Sequence, residues 1–221
     1  MNKTEFIIVP KVQKVLVTKG SYQVHKIANS NSHKHISVAL TILASGNYIP
    51  SLFSYTGICA IPNLLNGASA GKVMGFTDTR YMHKSLFQMY IEHFIKSISS
   101  SQPILLILDE HKSYVNYMSV NFCYKNGILL YALPSHTTHI LQPSELPFAT
   151  LKSEYSKKCD KFHNDTGKLL TKHTFAQMLG LTFIKTYTLL AIINAYRATG
   201  TWPLNPNAIS PDHLDPSLLT E

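Results

Sequence analysis

The sequence predicts a mixed α/β domain, and three observations carry that reading. Two short, continuous apolar runs, ILLIL (104–108) and ILLYAL (128–133), flank a segment of helical period. That is the pattern of a strand–helix–strand unit with parallel strands. The first hundred residues read mostly as strands separated by turn residues, and the last third reads as helices. The chain has 221 residues, of which 45% are hydrophobic and 14% charged, against a usual charged share of about 25%. Such a composition supports a packed core and excludes intrinsic disorder.

Taken in order, the elements follow from local chemistry. Lys14 to Thr18 is short and β-branched, a strand. ISVALTIL (36–43) is an apolar strand ended by the turn residues Ala44, Ser45, Gly46 and Asn47. Tyr48 to Tyr55 resumes as a strand around Pro50. Cys59 to Gly75 is rich in Gly, Asn, Ser and Pro and reads as a long loop. From Thr79 to Ser97 the period changes: Leu86, Met89, Tyr90, His93 and Phe94 recur at helical spacing, with Thr77 or Asp78 as cap. Ile104 to Asp109 is a buried strand ending in a carboxylate. Tyr117 to Asn126 is a helix stopped by Gly127, and Ile128 to Leu133 is a second buried strand closed by Pro134. A polar bridge, SHTTH (135–139), leads to a helix that starts near Pro143 and runs through Glu145 to Lys158. Phe175 to Ala198 reads as one final helical stretch ended by Gly200. The domain is expected over residues 1–206, with 207–221 as an extended or disordered tail.

Several function classes are excluded or demoted. The three cysteines, Cys59, Cys123 and Cys159, are widely spaced and form no CxxC pair, so neither a disulfide scaffold nor a zinc ribbon is supported. The N-terminal apolar run is cut by Pro10 and is no secretory signal. No stretch approaches the ~20 apolar residues of a membrane span, so a soluble cytosolic or nuclear chain without a membrane partner is expected. The net charge of +8 points to an anionic partner, nucleic acid or an anionic membrane surface, without choosing between them.

In open α/β sheets sites form beyond the carboxyl ends of strands. Asp109 sits at such an end, with His111 and Ser113 following; by position alone Asp109 is as readily a helix cap. His136 and His139 lie beyond the next strand; off a helix and without a third ligand they are weak as a metal pair, and phosphate oxygens are the alternative they can donate to. Glu145 opens the next helix, where the dipole alone favours a carboxylate. Taken together, Asp109 and Glu145 supply hard oxygens suited to Mg²⁺ or Mn²⁺. Lys152, Lys157, Lys158 and Lys161 on that helix form either a phosphate track or a solvated face. Arg197 and Trp202 read as structural.

Five stretches, LILDEHKSY (106–114), LPSHTTHILQPSE (133–145), INAYRATGTWPLNP (193–206), TILASGNYIP (41–50) and NKTEFIIVPKVQKVL (2–16), carry a family likeness. They resemble the catalytic domain of pogo/Tigger-type DDE transposases, the group related to centromere protein B and jerky. The family pattern runs Leu-Asp-Gly-His-x-Ser-His, then Leu-Pro-Pro-His-Thr-Thr-His-x-Leu-Gln-Pro-Leu-Asp, then Gly-Phe-Arg-x-Thr-Gly-Ile-x-Pro. The resemblance implies a ribonuclease-H-like mixed sheet flanked by helices, a nuclear DNA endonuclease, and an acidic triad that holds two Mg²⁺ or Mn²⁺ ions. Asp109 matches the second acid and Glu145 the third. The first acid, in the family's Asn-x-Asp-Glu-Thr-Gly motif, falls on Asn2, with Lys3 beside it. A neutral amide cannot bridge two cations, so the resemblance implies DNA binding by phosphate contacts with weakened metal affinity and impaired catalysis; an active endonuclease is the alternative. The central strand is expected to lack its upstream part and to leave residue 2 at a frayed terminus. The family's helix-turn-helix domains are expected to be missing. A protein partner or homodimer stays open.

Overall fold

In a computed structural model, residues 1–8, 19, 35–57, 63–68, 70–77, 84–98, 103–109, 116–168 and 170–210 are described. The expected strand at 14–18, the cap at Asp78, the residues His111 and Ser113, Cys59 and the tail beyond 210 lie outside them.

Strands β1 (Asn2–Ile7), β2 (His35–Ile42), β3 (Tyr48–Thr56) and β4 (Val73–Thr77) form a sheet in sequence order. β1, β2 and β3 are antiparallel neighbours, and β4 joins β3 in parallel. Helix α1 (Lys84–Ser97) follows, then β5 (Ile104–Leu108), helix α2 (Tyr117–Lys125) and β6 (Ile128–Ala132). β5 and β6 pair in parallel, which is the strand–helix–strand unit expected from the two apolar runs. β5 and β6 form a separate two-stranded sheet, and the N-terminal amine of Met1 donates to the Ile107 carbonyl (2.6 Å), which sets the end of β5 beside the start of β1. Four helices complete the chain: α3 (Thr138–Leu141), α4 (Glu145–Thr166), α5 (Lys172–Thr186) and α6 (Leu189–Ala198). The result is the mixed sheet flanked by helices that the sequence predicts.

Strand alternation divides the core between the two faces. Ile36, Val38, Leu40 and Ile42 of β2 pack with Phe148, Leu151 and Tyr155 of α4 and with Phe175, Leu179 and Phe183 of α5. On the other face Ala39, Ile49 and Leu52 pack with Leu86, Phe87, Tyr90 and Phe94 of α1 and with Leu106 and Leu108 of β5. Ala39 pairs with Leu52 while Thr41 pairs with Ile49, so β3 carries one extra residue near Pro50. A bulge is where a strand tolerates proline, and the free Pro50 carbonyl accepts from a His93 ring nitrogen (2.8 Å). Gly75 lies where α1 crosses β4, and a Cβ there would press on the ends of the Leu86 and Met89 side chains.

Four expectations are corrected. Val73 to Gly75 belongs to β4 rather than to a loop, because Leu52 to Thr56 offers a parallel edge that sequence period does not reveal. The 135–139 bridge is partly helical, with α3 starting at Thr138. The expected single helix over 175–198 is two helices bent by 71°. Tyr187 stacks on Phe183 (4.1 Å between ring centres), and Thr188 caps α6 by accepting from the Ala191 amide (3.3 Å). Finally, β5 and β6 are not buried on both faces: Leu105 is 60% exposed and Leu129 and Tyr131 are about half exposed. α4 reaches β1, but among the described residues no helix covers that face of β5 and β6. Across the expected boundary between domain and tail, Pro206–Ala208 form a 3-10 turn.

Candidate metal and nucleic-acid site

The hydrogen bond from the Met1 amine to Ile107 sets the register of the site. By the bonding rule of a parallel pair, in which an N–H meets the carbonyl one residue before its opposite number, this single contact sets Met1 beside Leu108. Packing agrees, since Met1 and Leu108 lie together in the core on the α1 side. Asn2 and Asp109, one residue further along each strand, therefore face the α4 side. There the Asn2 amide donates from Nδ2 to Glu145 Oε1 (2.5 Å), at the first residue of α4. Two of the three positions aligned from sequence, Asn2 and Glu145, are thus in contact, and Asp109 at the end of β5 lies near the Met1 amine.

Residue 2 is not frayed. Asn2 is 3% exposed and pairs with Leu40 of β2. Gln142 donates from Nε2 to the Met1 carbonyl (2.7 Å), and the Met1 amine is tied to β5. Backbone pairing on both sides and a buried Gln side chain hold the strand start. The roles of Met1 and Gln142 were not read from sequence; the Gln-Pro step in HTTHILQP (136–143) was the signal that marked the second. Burial pushes the Met1 amine down to about 5, with Asp109 opposing by charge attraction. Lys3 points to the opposite face from Asn2 by strand alternation and pairs with Glu5 (3.6 Å).

Asp109 is 9% exposed at the carboxyl end of β5, and Glu145 is half-buried in the first turn of α4. Both carboxylates and the Asn2 carbonyl are hard oxygens, a donor set that fits one Mg²⁺ or Mn²⁺ ion. It does not supply the third carboxylate. Among the described residues no group of three or more His, Cys, Asp or Glu is placed to hold a metal. His136 and His139 are exposed on the turn and short helix between β6 and α4, His136 in a left-handed conformation (φ 61°). Lys152, Lys157, Lys158 and Lys161 are exposed on α4. At 100° per residue Lys152 lies roughly 140° around the helix from Lys157, so the four do not make one track. Lys157 is held by Glu154 (2.6 Å), which also takes Lys185 of α5 (2.6 Å).

The site thus consists of the Asn2 amide bonded to Glu145 at the start of α4, with Asp109 at the carboxyl end of β5. The DDE superfamily endonuclease family matches residues 72–211, a span that contains Asp109 and Glu145, and the chain belongs to that family. A protein of Cochliobolus lunatus named MFS-type transporter clz9 is 31% identical over 135 residues, 59% of this chain and 15% of that protein. The chain thus spans about a seventh of that relative's length. No single helix among the described residues is long and apolar enough to cross a membrane. Among solved structures, the Mos1 strand transfer complex matches over 88% of this chain and 52% of that one, at 10% identity and a TM-score of 0.49.

Proposed function

We propose that this domain binds DNA through phosphate contacts and does not cleave it. The reading is that of a pogo/Tigger-like transposase derivative acting in the nucleus. The observation that carries it is the Asn2–Glu145 hydrogen bond. In place of the carboxylate that bridges two cations stands an amide whose N–H group occupies an oxygen of the remaining acid.

When bound at this site, a divalent cation supplies Lewis-acid activation of water or of a phosphoryl oxygen. In this chain Asp109 and Glu145 would hold the cation and Asn2 would offer one neutral oxygen. Two cations about 3.5–4 Å apart need more negative charge than two carboxylates to offset their repulsion. One weakly held cation is the expected state.

DNA affinity rests on the +8 charge and on exposed donors, His136, His139, Lys152 and Lys158. Lys157, already paired with Glu154, contributes less. Sequence-independent binding with Kd about 10⁻⁴ to 10⁻⁶ M, falling steeply with salt, is expected. The test is nicking of supercoiled plasmid in Mn²⁺. Wild type and Asp109→Ala should leave the plasmid equally intact. Nicking by wild type that disappears in Asp109→Ala overturns the reading and establishes an active endonuclease.

A further inference from the structure

Away from the acidic site, the α5 side of β3 and β4 carries two buried polar groups that the fold leaves unpaired. In the parallel register Leu52 pairs with Val73 and Phe53 with Met74, so Ser51 and Lys72 are neighbours one step earlier. Leu52 and Val73 pack in the core on the α1 side, Phe53 and Met74 in the core on the α5 side. By alternation Ser51 and Lys72 therefore point to the α5 side. Lys72 lays its side chain across β3, with Nζ 5.0 Å from the ring centre of Phe53 and 5.0 Å from that of Phe183 on α5.

Lys72 Nζ and Ser51 Oγ are both closed to solvent, and neither has a hydrogen-bond partner. Ser51 as a whole is 1% exposed. The two ring faces attract the ammonium but give its three N–H groups no acceptor. Burial lowers Lys72 to about 8, so at pH 7 it is still mostly protonated. A buried ammonium is costly unless a negative charge balances it, and among the described residues no carboxylate pairs with this one.

We propose that Ser51 and Lys72 together hold a small monatomic anion, chloride, between β3, β4 and α5. The occupant is an acceptor, because the Lys72 ammonium offers donors only and the Ser51 hydroxyl can turn its proton toward the same point. It is negatively charged, because a neutral water leaves the ammonium unbalanced. It is a bare ion, because both donor atoms are shut off from solvent, which excludes the bulky phosphate groups of a nucleic acid. Bound chloride ties the start of the edge strand β4 to β3 and α5. It thus acts in two opposite senses, firming the fold at this site while salt weakens phosphate contacts at the exposed lysines. The proposal involves no residue of the acidic site and is independent of whether that site cleaves DNA.

The experiment compares the full chain with Lys72→Met and Ser51→Ala. Each is unfolded in urea at pH 7 in sodium chloride and in sodium gluconate of equal ionic strength, gluconate being too large for the site. Chloride binding is read directly from the chloride NMR linewidth in each protein, with Lys72→Met as the baseline for surface lysines. The wild-type urea midpoint should rise in chloride over gluconate and keep rising with concentration, as binding to the folded state alone requires. Its chloride line should be broader than that of Lys72→Met. Ser51→Ala removes one donor and should weaken chloride affinity about tenfold. Lys72→Met removes the charge and should show no midpoint gain. Equal gains in all three proteins mark a general salt effect and overturn the proposal, as does a wild type without a gain or without excess broadening. Where Lys72→Met does not fold, Ser51→Ala decides: chloride affinity equal to that of wild type overturns the site.

Discussion

Replacing Asn2 by aspartate puts a second carboxylate at the 2.5 Å contact with Glu145. At ~3 Å and an effective dielectric constant of about 20, two unit charges repel by roughly 5–6 kcal/mol. The pair has a cheaper escape, which is to share one proton. Taking a carboxyl with an ordinary pKa near 4 to its neutral form at pH 7 costs about 4 kcal/mol. The smaller figure sets the limit, and the shared proton restores a hydrogen bond like the one lost. Asn2→Asp should therefore destabilise the metal-free chain by about 3–4 kcal/mol at pH 7 and by much less near pH 4.5, where the proton is nearly free. A divalent cation offsets the repulsion directly, so Mn²⁺ at about 100 times its Kd should return roughly 2.7 kcal/mol. Asn2→Ala, which removes the hydrogen bond without adding charge, should show no such gain. The assay is urea unfolding of wild type and both variants at pH 7 and 4.5, in chelator and in MnCl₂. An Asn2→Asp chain as stable as wild type in chelator, or one indifferent to Mn²⁺, refutes the argument that residues 2 and 145 share a cation site.

Three further outcomes are expected. Hydrogen bonds from Lys157 and Lys185 pull Glu154 down to about 2 from an ordinary 4.5. Its stabilisation is therefore complete above pH 4.5 and is lost as pH falls toward 2; in Glu154→Gln the urea midpoint should lose that part of its acid dependence. Burial between the Phe53 and Phe183 rings, each 5.0 Å from Nζ, lowers Lys72 to about 8 from 10.5. The unfolded chain then binds more protons between those values, so stability rises with pH across that window, and the difference between wild type and Lys72→Met should shrink as pH passes from 8 to 10.5. Gly75→Ala presses a methyl on the ends of the Leu86 and Met89 side chains, which must shift to admit it, and should cost about 1 kcal/mol in urea unfolding.

Local chemistry in the sequence determined much of this protein. The two apolar runs and the helix between them specified β5, α2 and β6, because continuous apolar runs and helical period are properties of single segments. The positions of Asp109 and Glu145 at a strand end and a helix start were legible for the same reason. What a segment cannot encode is which edges meet. β4 hides in a Gly- and Asn-rich stretch because its hydrogen bonds come from β3, and the break at Thr188 depends on Tyr187 packing against Phe183. The exposed faces of Leu105, Leu129 and Tyr131 follow from where α4 stops, not from their own apolar character. The firmness of residue 2 is likewise tertiary: an N-terminal strand taken alone frays, but here β2, Ile107 and Gln142 hold its backbone from three sides. The sequence alone singled out Asn2, Asp109 and Glu145; only the meeting of β1 and α4 decided that the Asn2 amide would bond to Glu145.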